Sequence, residues 1–313
     1  VPGAIPFGWC WFTHVEILSR DAAPEVVPAE TLSDAERARF ISPGSAPRLM
    51  GILNTTPDSF SDGGRYDAYD AALAQGQALI AAGADILDIG GESTRPGAAT
   101  VPADVEIART APVIAALRGA GVTTPISIDT RKSDVAVAAL DAGADIVNDV
   151  SGFTHDPALA PQCAARGVPV CVMHAQGEPQ TMQHNPTYDD VLLDVYDALS
   201  ARIEALLTLG IPRNRITADP GIGFGKTQIH NLAILNRISL FHGLGVPILL
   251  GASRKRFIGT IGNAPNATAR APGSIAVALA AIAQGVAIIR AHDVAAHAQA
   301  IALWRAAVAH PGS

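Results

Sequence analysis

The pentapeptide Ala82-Gly83-Ala84-Asp85-Ile86 recurs as Ala142-Gly143-Ala144-Asp145-Ile146. In both copies an Ala-rich stretch runs into Gly, and a β-branched run follows at once. Glycine there closes a helix in the left-handed conformation, so each copy reads as a helix end joined directly to a strand. Gln284-Gly285-Val286-Ala287-Ile288 is a weaker copy. The same rhythm holds from residue 49 onward, with strands predicted at Leu49–Asn54, Ile86–Gly91, Ile126–Thr130, Ile146–Ser151, Val170–His174, Ile216–Asp219, Ile248–Ser253 and Val286–His292. Stretches of helical periodicity separate them, among them Asp70–Ala82, Asp190–Leu209 and Pro272–Gln284. Strands alternating with helices imply parallel β-α-β units. Eight such units in about 260 residues match a closed (β/α)8 TIM barrel of the α/β class. An open doubly wound sheet, more often of five to seven strands, ranks second.

Residues 1–47 stand outside this rhythm as a short N-terminal extension, and residues 48–313 form the barrel domain. In the extension, Ser33 and Glu36 make a capping-box pair. Val15-Glu16-Ile17-Leu18 reads as a strand and Pro43-Gly44-Ser45 as a linker. A strand or hairpin covering the barrel floor is the simplest reading, with no function attached.

Composition narrows the function classes. A net charge of -7 argues against a general grip on nucleic acid or anionic lipid, while leaving room for a local basic pocket. Cys10, Cys163 and Cys171 are odd in number and lack CxxC spacing, so they read as buried, reduced thiols of a cytoplasmic protein. The longest apolar stretch, near Ile275–Ile289, is broken by Gln284 and Gly285 and does not read as a membrane span. The front of the chain shows no signal-peptide pattern. Of 22 basic residues only Lys132, Lys226 and Lys255 are lysines. Lys132 and Lys226 read as surface residues, whereas Lys255 stands in a motif.

Each predicted strand ends in polar residues: Asn54; Glu92-Ser93-Thr94-Arg95; Asp129; Asn148-Asp149; His174; Asp219; Ser253-Arg254-Lys255; Arg290 and His292. A barrel interior is filled by branched apolar side chains, so these residues are expected to line one concave site at the C-terminal mouth. Any one alone reads as a cap or turn residue. Asp129, for instance, can be the N-cap of a helix starting near Thr130.

Five motifs lie on those ends. They are Asn54-Thr55-Thr56-Pro57-Asp58-Ser59-Phe60-Ser61-Asp62-Gly63-Gly64, Gly90-Gly91-Glu92-Ser93-Thr94-Arg95-Pro96-Gly97, Asp219-Pro220-Gly221-Ile222-Gly223-Phe224-Gly225-Lys226, Ser253-Arg254-Lys255 and Arg290-Ala291-His292-Asp293. The third is no P-loop, because Pro220 occupies the first Gly position. Its glycines are expected to let the backbone approach a flat ligand closely. In this order, the set resembles the dihydropteroate synthase family, the folate-pathway enzymes that sulfonamides inhibit.

The resemblance implies a transferase that joins a pterin diphosphate to 4-aminobenzoate, releasing diphosphate. It gives Asp219 the amidine-like edge of the pterin, a bidentate match for a carboxylate. Asn148 reads a mixed donor and acceptor edge. Asp129 and Lys255 hold the remaining heteroatoms, with Arg290 beside them. Met173 walls the pterin pocket, or simply packs. Thr94, Arg95, Arg290 and His292 face the diphosphate. Arg290 and His292, two apart on a strand, point the same way. Asn54 helps hold Mg2+, an ion that takes few protein ligands when diphosphate and water supply the rest. Phe224 and Pro96 sandwich the aminobenzoate ring, with Phe60 and Arg95 on the two loops that close over it. Lys255 opens a helix whose N–H groups favour the carboxylate. Arg256 stands where many relatives carry Ser, so only the backbone contact carries over there. Asp129, Asp219, Lys255 and Arg95 are the catalytic set.

The expected mechanism needs no general base or nucleophile. Diphosphate leaves first, the reduced pterin delocalises the cation, and the aromatic amine attacks the exocyclic carbon. Positioning and electrostatic preorganisation supply the rate. A pterin-dependent methyltransferase barrel and a non-catalytic pterin-binding barrel are the alternatives. Arg95, Arg290 and His292 count against the first. Family members are usually homodimers.

Overall fold

Short β-branched runs flanked by Ala-rich helices suit a parallel sheet whose strands are buried on both faces. The computed structural model describes residues 3–55, 65–94, 97–178 and 180–308. Its main sheet has eight strands: β5 (Arg48–Asn54), β6 (Ile86–Gly90), β7 (Ile126–Asp129), β8 (Ile146–Asp149), β9 (Val170–Met173), β10 (Ile216–Asp219), β11 (Leu249–Leu250) and β12 (Ile288–Ala291). All neighbours pair in parallel, in the order β10-β9-β8-β7-β6-β5-β12-β11. A parallel bridge between Ala218 and Ile248 closes the ring, with the Ala218 N–H donating to Pro247 O at 3.0 Å. The fold is therefore the (β/α)8 barrel. Most strands are shorter than predicted because their polar ends leave the ladder to form the rim. β11 is the extreme case, keeping two residues of the predicted Ile248–Ser253.

The helices are α2 (Arg65–Ala81), α3 (Ala103–Gly119), α4 (Ser133–Asp141), α5 (Leu159–Arg166), α6 (Val191–Thr208), α7 (Gln228–Asn236), α8 (Arg256–Ile261), α9 (Ala271–Ile282) and α10 (Val294–Val308). The repeated junction is built as the sequence implies, with φ at +102° for Gly83, +110° for Gly143 and +85° for Gly285. Two apolar layers result. The larger lies between helices and sheet and includes Leu53, Leu87, Ile89, Ile128, Val147, Val172 and Ile289. The smaller, inside the barrel, includes Met50, Ile86, Cys171, Leu249 and Ile288, with Ile146 against them. This inner layer is the floor under the site.

The extension carries two antiparallel hairpins, β1 (Ile5–Phe7) with β2 (Cys10–Phe12) and β3 (His14–Ile17) with β4 (Glu25–Pro28), then α1 (Asp34–Arg37). Ser33 and Glu36 form the capping box. Phe7 is buried against His242, and a side chain at Gly285 would meet its ring at 2.6 Å. Trp9 Nε1 donates to Ile282 O at 2.9 Å. The first hairpin thus sits where α9 turns into β12, at the end of the barrel opposite the rim. Cys163 and Cys171 are buried free thiols; Cys10 is only half-buried. No helix of the described residues is long and apolar enough to cross a membrane.

Candidate active site

Side chains alternate along a strand, so residues two beyond the inner floor layer also point inward. Above Ile86 this places Asp88, above Ile146 Asn148, above Cys171 Met173, and above Ile288 Arg290. The inward face is therefore apolar at the bottom and polar above. Arg290 Nε donates to Asp88 Oδ2 at 2.6 Å, and its Nη2 donates to Asp129 Oδ2 at 2.7 Å. Asn148 Nδ2 lies 3.3 and 3.4 Å from the Asp88 carboxylate oxygens. A side chain built on Gly251 would meet both Asp219 Oδ2 (3.4 Å) and Arg290 Cδ (3.9 Å), so these two groups border the same space. Asp129, Asn148 and Arg290 are hence linked through Asp88 and direct contact, and Asp219 borders the same space at the inward face.

Burial sets the charges here. It pushes Asp129 up to about 7, with Asp88, Glu106 and Asp149 adding to the rise and Arg290 opposing it. It pushes Asp219 up to about 6 against the Gly221 N–H, which donates to its Oδ1 at 2.7 Å, and against Lys255, Arg290 and Lys226. Burial also works against the charge of Arg290, but Asp88 and Asp129 outweigh it and hold the guanidinium protonated. Two carboxyl groups of raised pKa around one committed cation make a site for a flat ligand that presents N–H donors.

The remaining assigned residues occupy the rim. Lys255 Nζ lies 4.1 Å over the centroid of the Phe224 ring, a cation–π contact. His292 Nδ1 is 3.0 Å from Ser253 Oγ, which ties the ends of β11 and β12. Met173 is buried and would lie 3.2 Å from a side chain at Gly221. Asn54 ends β5 half-buried, with Gly90 as its register partner. Thr94 is half-buried in the loop after β6. Arg256 is exposed at the first position of α8, which is only six residues long. Phe60, Arg95 and Pro96 lie outside the described residues.

Several expectations change. Lys226 is not a surface residue: it is 2% exposed, with Nζ 2.8 Å from His174 Nδ1. Lys132 is also largely buried, bridging Glu106 and Glu92. Both have carboxylates or carbonyls to hold their charge, which a reading of spacing alone does not reveal. Not every polar strand end lines the site, either. Glu92 turns to Arg131, Lys132 and the Val101 N–H, which overcome its burial and lower its pKa. Asp149 folds back to accept from Ser151 and Phe153. Arg254 pairs with Asp293. These side chains fasten rim loops. Asp129 is no helix cap: Lys132 occupies the cap of α4, and Asp156 accepts from the Ser133 N–H. The glycines of the third motif also have another reason. Side chains at Gly221 and Gly225 would meet His174 O at 1.9 Å and Gln176 O at 2.2 Å, so the close approach is to the β9 exit.

The sequence reading missed Asp88. It is fully buried in the middle of the strand Ile86-Leu87-Asp88-Ile89 and hydrogen-bonds two of the converging groups. The signal was present, since an ionisable residue inside a short apolar strand needs a buried partner.

A family model for "Pterin binding enzyme" matches residues 50–292. The chain belongs to the pterin-binding enzyme family. Among curated pterin-binding relatives, the dihydropteroate synthase of Synechocystis is 46% identical over 266 residues, covering 84% of this chain and 92% of its own. The Xanthomonas albilineans dihydropteroate synthase solved with 4-aminobenzoic acid superposes with a TM-score of 0.81 at 43% identity, over 88% of this chain and 98% of that one. The Yersinia pestis dihydropteroate synthase solved as a sulfonamide complex gives 0.79 at 43% identity, over 84% and 94%. This family membership fits a site built around donors and acceptors for one flat heterocycle.

Proposed function

We propose that the chain is a dihydropteroate synthase, a transferase that condenses (7,8-dihydropterin-6-yl)methyl diphosphate with 4-aminobenzoate to give 7,8-dihydropteroate and diphosphate. The observation that carries this reading is the convergence of Asp129, Asn148, Asp219 and Arg290 above an apolar floor. Asp219 would accept the two N–H groups of the pterin amidine edge. Asn148, held by Asp88, would read the mixed edge, and Asp129 and Lys255 the rest. Asp129 and Asp219 would keep negative potential beside the cation that forms when the carbon–oxygen bond to diphosphate breaks. Lys255 over Phe224 would present an ammonium and a ring face to the second substrate, whose amine nitrogen bonds to the exocyclic carbon and then releases its proton to water. His292, Thr94 and Arg95 would meet the diphosphate. Arg290 already spends its Nε and Nη2 on Asp88 and Asp129, which favours a pterin-side role.

Asn54 offers one neutral oxygen at the rim, and no cluster of three metal-binding side chains occurs among the described residues. That suits a Mg2+ ion carried in mainly by diphosphate and water. When bound it would neutralise charge on the leaving group. Three free thiols suit a reducing cytoplasm. Exposed Ile229 and Leu232 on α7 and Ile261 on α8 offer apolar surface for a homodimer, which sedimentation would test.

The deciding experiment mixes the protein with the pterin diphosphate, labelled 4-aminobenzoate and Mg2+ and looks for labelled pteroate. Product should form, and chelating Mg2+ should abolish it. A transfer that requires a methyl donor, or binding without product, overturns the reading.

A further inference from the structure

Three successive carbonyls of the glycine-rich loop are each held by a side-chain donor. Gln183 Nε2 donates to Gly223 O at 2.6 Å, Lys226 Nζ to Phe224 O at 3.1 Å, and Tyr188 OH to Gly225 O at 2.7 Å. Gln183 and Tyr188 belong to the long segment between β9 and α6. Lys226 differs from both. Its Nζ also reaches the β9 exit, 2.8 Å from His174 Nδ1 and 3.3 Å from His174 O. An ammonium has three donors, and three acceptors surround this one. Lys226 is also almost completely buried, so its charge is costly unless those contacts are made. Burial lowers its pKa to about 7 despite the attraction of Asp219. His174, lowered to about 3 by burial and by Lys226, stays neutral and can accept.

We propose that Lys226 is a positioning residue for the second substrate: it staples the glycine-rich loop to the β9 exit at Phe224 O and so fixes the Phe224 ring beneath Lys255. The inference rests on the functional reading above, in which Phe224 and Lys255 receive the aminobenzoate. The geometry makes the connection short. Phe224 O and the Phe224 ring belong to one residue, and the ring meets Lys255 Nζ at 4.1 Å. Gly223, the neighbour of Phe224, lies against the Lys255 stem, where an added side chain would meet Cδ at 3.2 Å. Displacing Phe224 O therefore moves both walls. Asn148, Asp129 and Arg290, with Asp88 behind them, hang on other strands and keep their contacts without this staple, whereas Asp219 feels only the charge of Lys226 and Lys255 only the position of its Phe224 neighbour.

The test uses the full chain and the Lys226→Met and Lys226→Arg variants. Hydrogen bonds to a charged group contribute enough that the KM for 4-aminobenzoate should rise about tenfold or more in the methionine variant. The dissociation constant of the pterin diphosphate, measured directly by its fluorescence above pH 8 where Asp219 is ionised in either variant, should rise clearly less than that KM, because Asn148, Asp129 and Arg290 keep their contacts. The arginine variant, which keeps the charge, should fall between. An unchanged aminobenzoate KM in a folded variant overturns the proposal, as does equal weakening of both substrates. Should the methionine variant not fold, the same ratio in the arginine variant decides: a selective rise supports the staple and no selectivity overturns it. An unaltered chain that makes no pteroate sinks the functional reading and this inference with it, whereas an active chain with indifferent variants sinks only the role of Lys226.

Discussion

Arg290 Nε meets the fully buried Asp88 Oδ2 at 2.6 Å, across 202 positions of sequence. The same guanidinium reaches Asp129, and the same carboxylate accepts from Asn148. Asp88 is therefore the hub that holds the Asn148 and Arg290 side chains in fixed orientations. Replacing Asp88 by Asn removes its charge and leaves Asp129 as the one carboxylate in direct contact with Arg290. Breaking a buried pair costs about 3–5 kcal/mol when one partner is lost outright, and the surviving Asp129 contact should hold the loss near the low end of that range. Urea denaturation should show it, and pterin affinity should fall with it. A variant with wild-type stability and affinity would remove Asp88 from this role.

Pterin binding should depend on pH through Asp219 and Asp129, whose pKa values burial raises to about 6 and about 7. Only the ionised carboxylate accepts both N–H groups of an amidine edge. Affinity should therefore weaken as pH falls through this window, and binding near pH 6 should release protons. The stability effect has the opposite sign. A carboxyl group whose pKa rises on folding holds its proton more tightly in the native state, so these two groups favour folding least above pH 7. Calorimetric titration in buffers of different ionisation enthalpy reports the proton release, which Asp219→Asn should diminish.

Gly221 has φ of +69°, and a side chain there would meet His174 O at 1.9 Å. The contact is a Cβ, whose position the backbone fixes, against a backbone oxygen, so no rotamer change relieves it. Gly221→Ala should cost more than about 4 kcal/mol, in the range reserved for a clash added to a strained conformation. Thermal unfolding checks it, and an alanine variant with an unchanged midpoint would show that the loop can retreat.

Arg254 donates through Nε and Nη2 to Asp293, joining the segment after β11 to the start of α10. Asp293→Asn should lower stability by about 1–3 kcal/mol, the usual worth of charge-assisted hydrogen bonds. Because His292 precedes Asp293 and Lys255 follows Arg254, turnover should fall as well. Comparing denaturation with kcat for the variant separates the two effects.

The architecture was legible because its signals are local. Gly83 and Gly143 close helices whatever lies elsewhere, and β-branched runs between Ala-rich stretches favour parallel strands. The motif residues Asp129, Asn148 and Asp219 were legible as strand ends. Their neighbours were not, because a polar residue at a strand end can face the site or tie down its own loop. Glu92, Asp149 and Arg254 do the latter, with partners that sequence spacing does not reveal.

Local chemistry thus determined the eight-unit barrel, its repeated junctions and the end at which the polar residues gather, since helix caps, strand propensity and side-chain alternation act over a few residues. Only the tertiary structure decided which charges are paired and buried. Asp88 with Arg290, and Lys226 with His174, meet because the ring closes and brings distant strands within hydrogen-bond reach, where desolvation makes each unpaired charge costly.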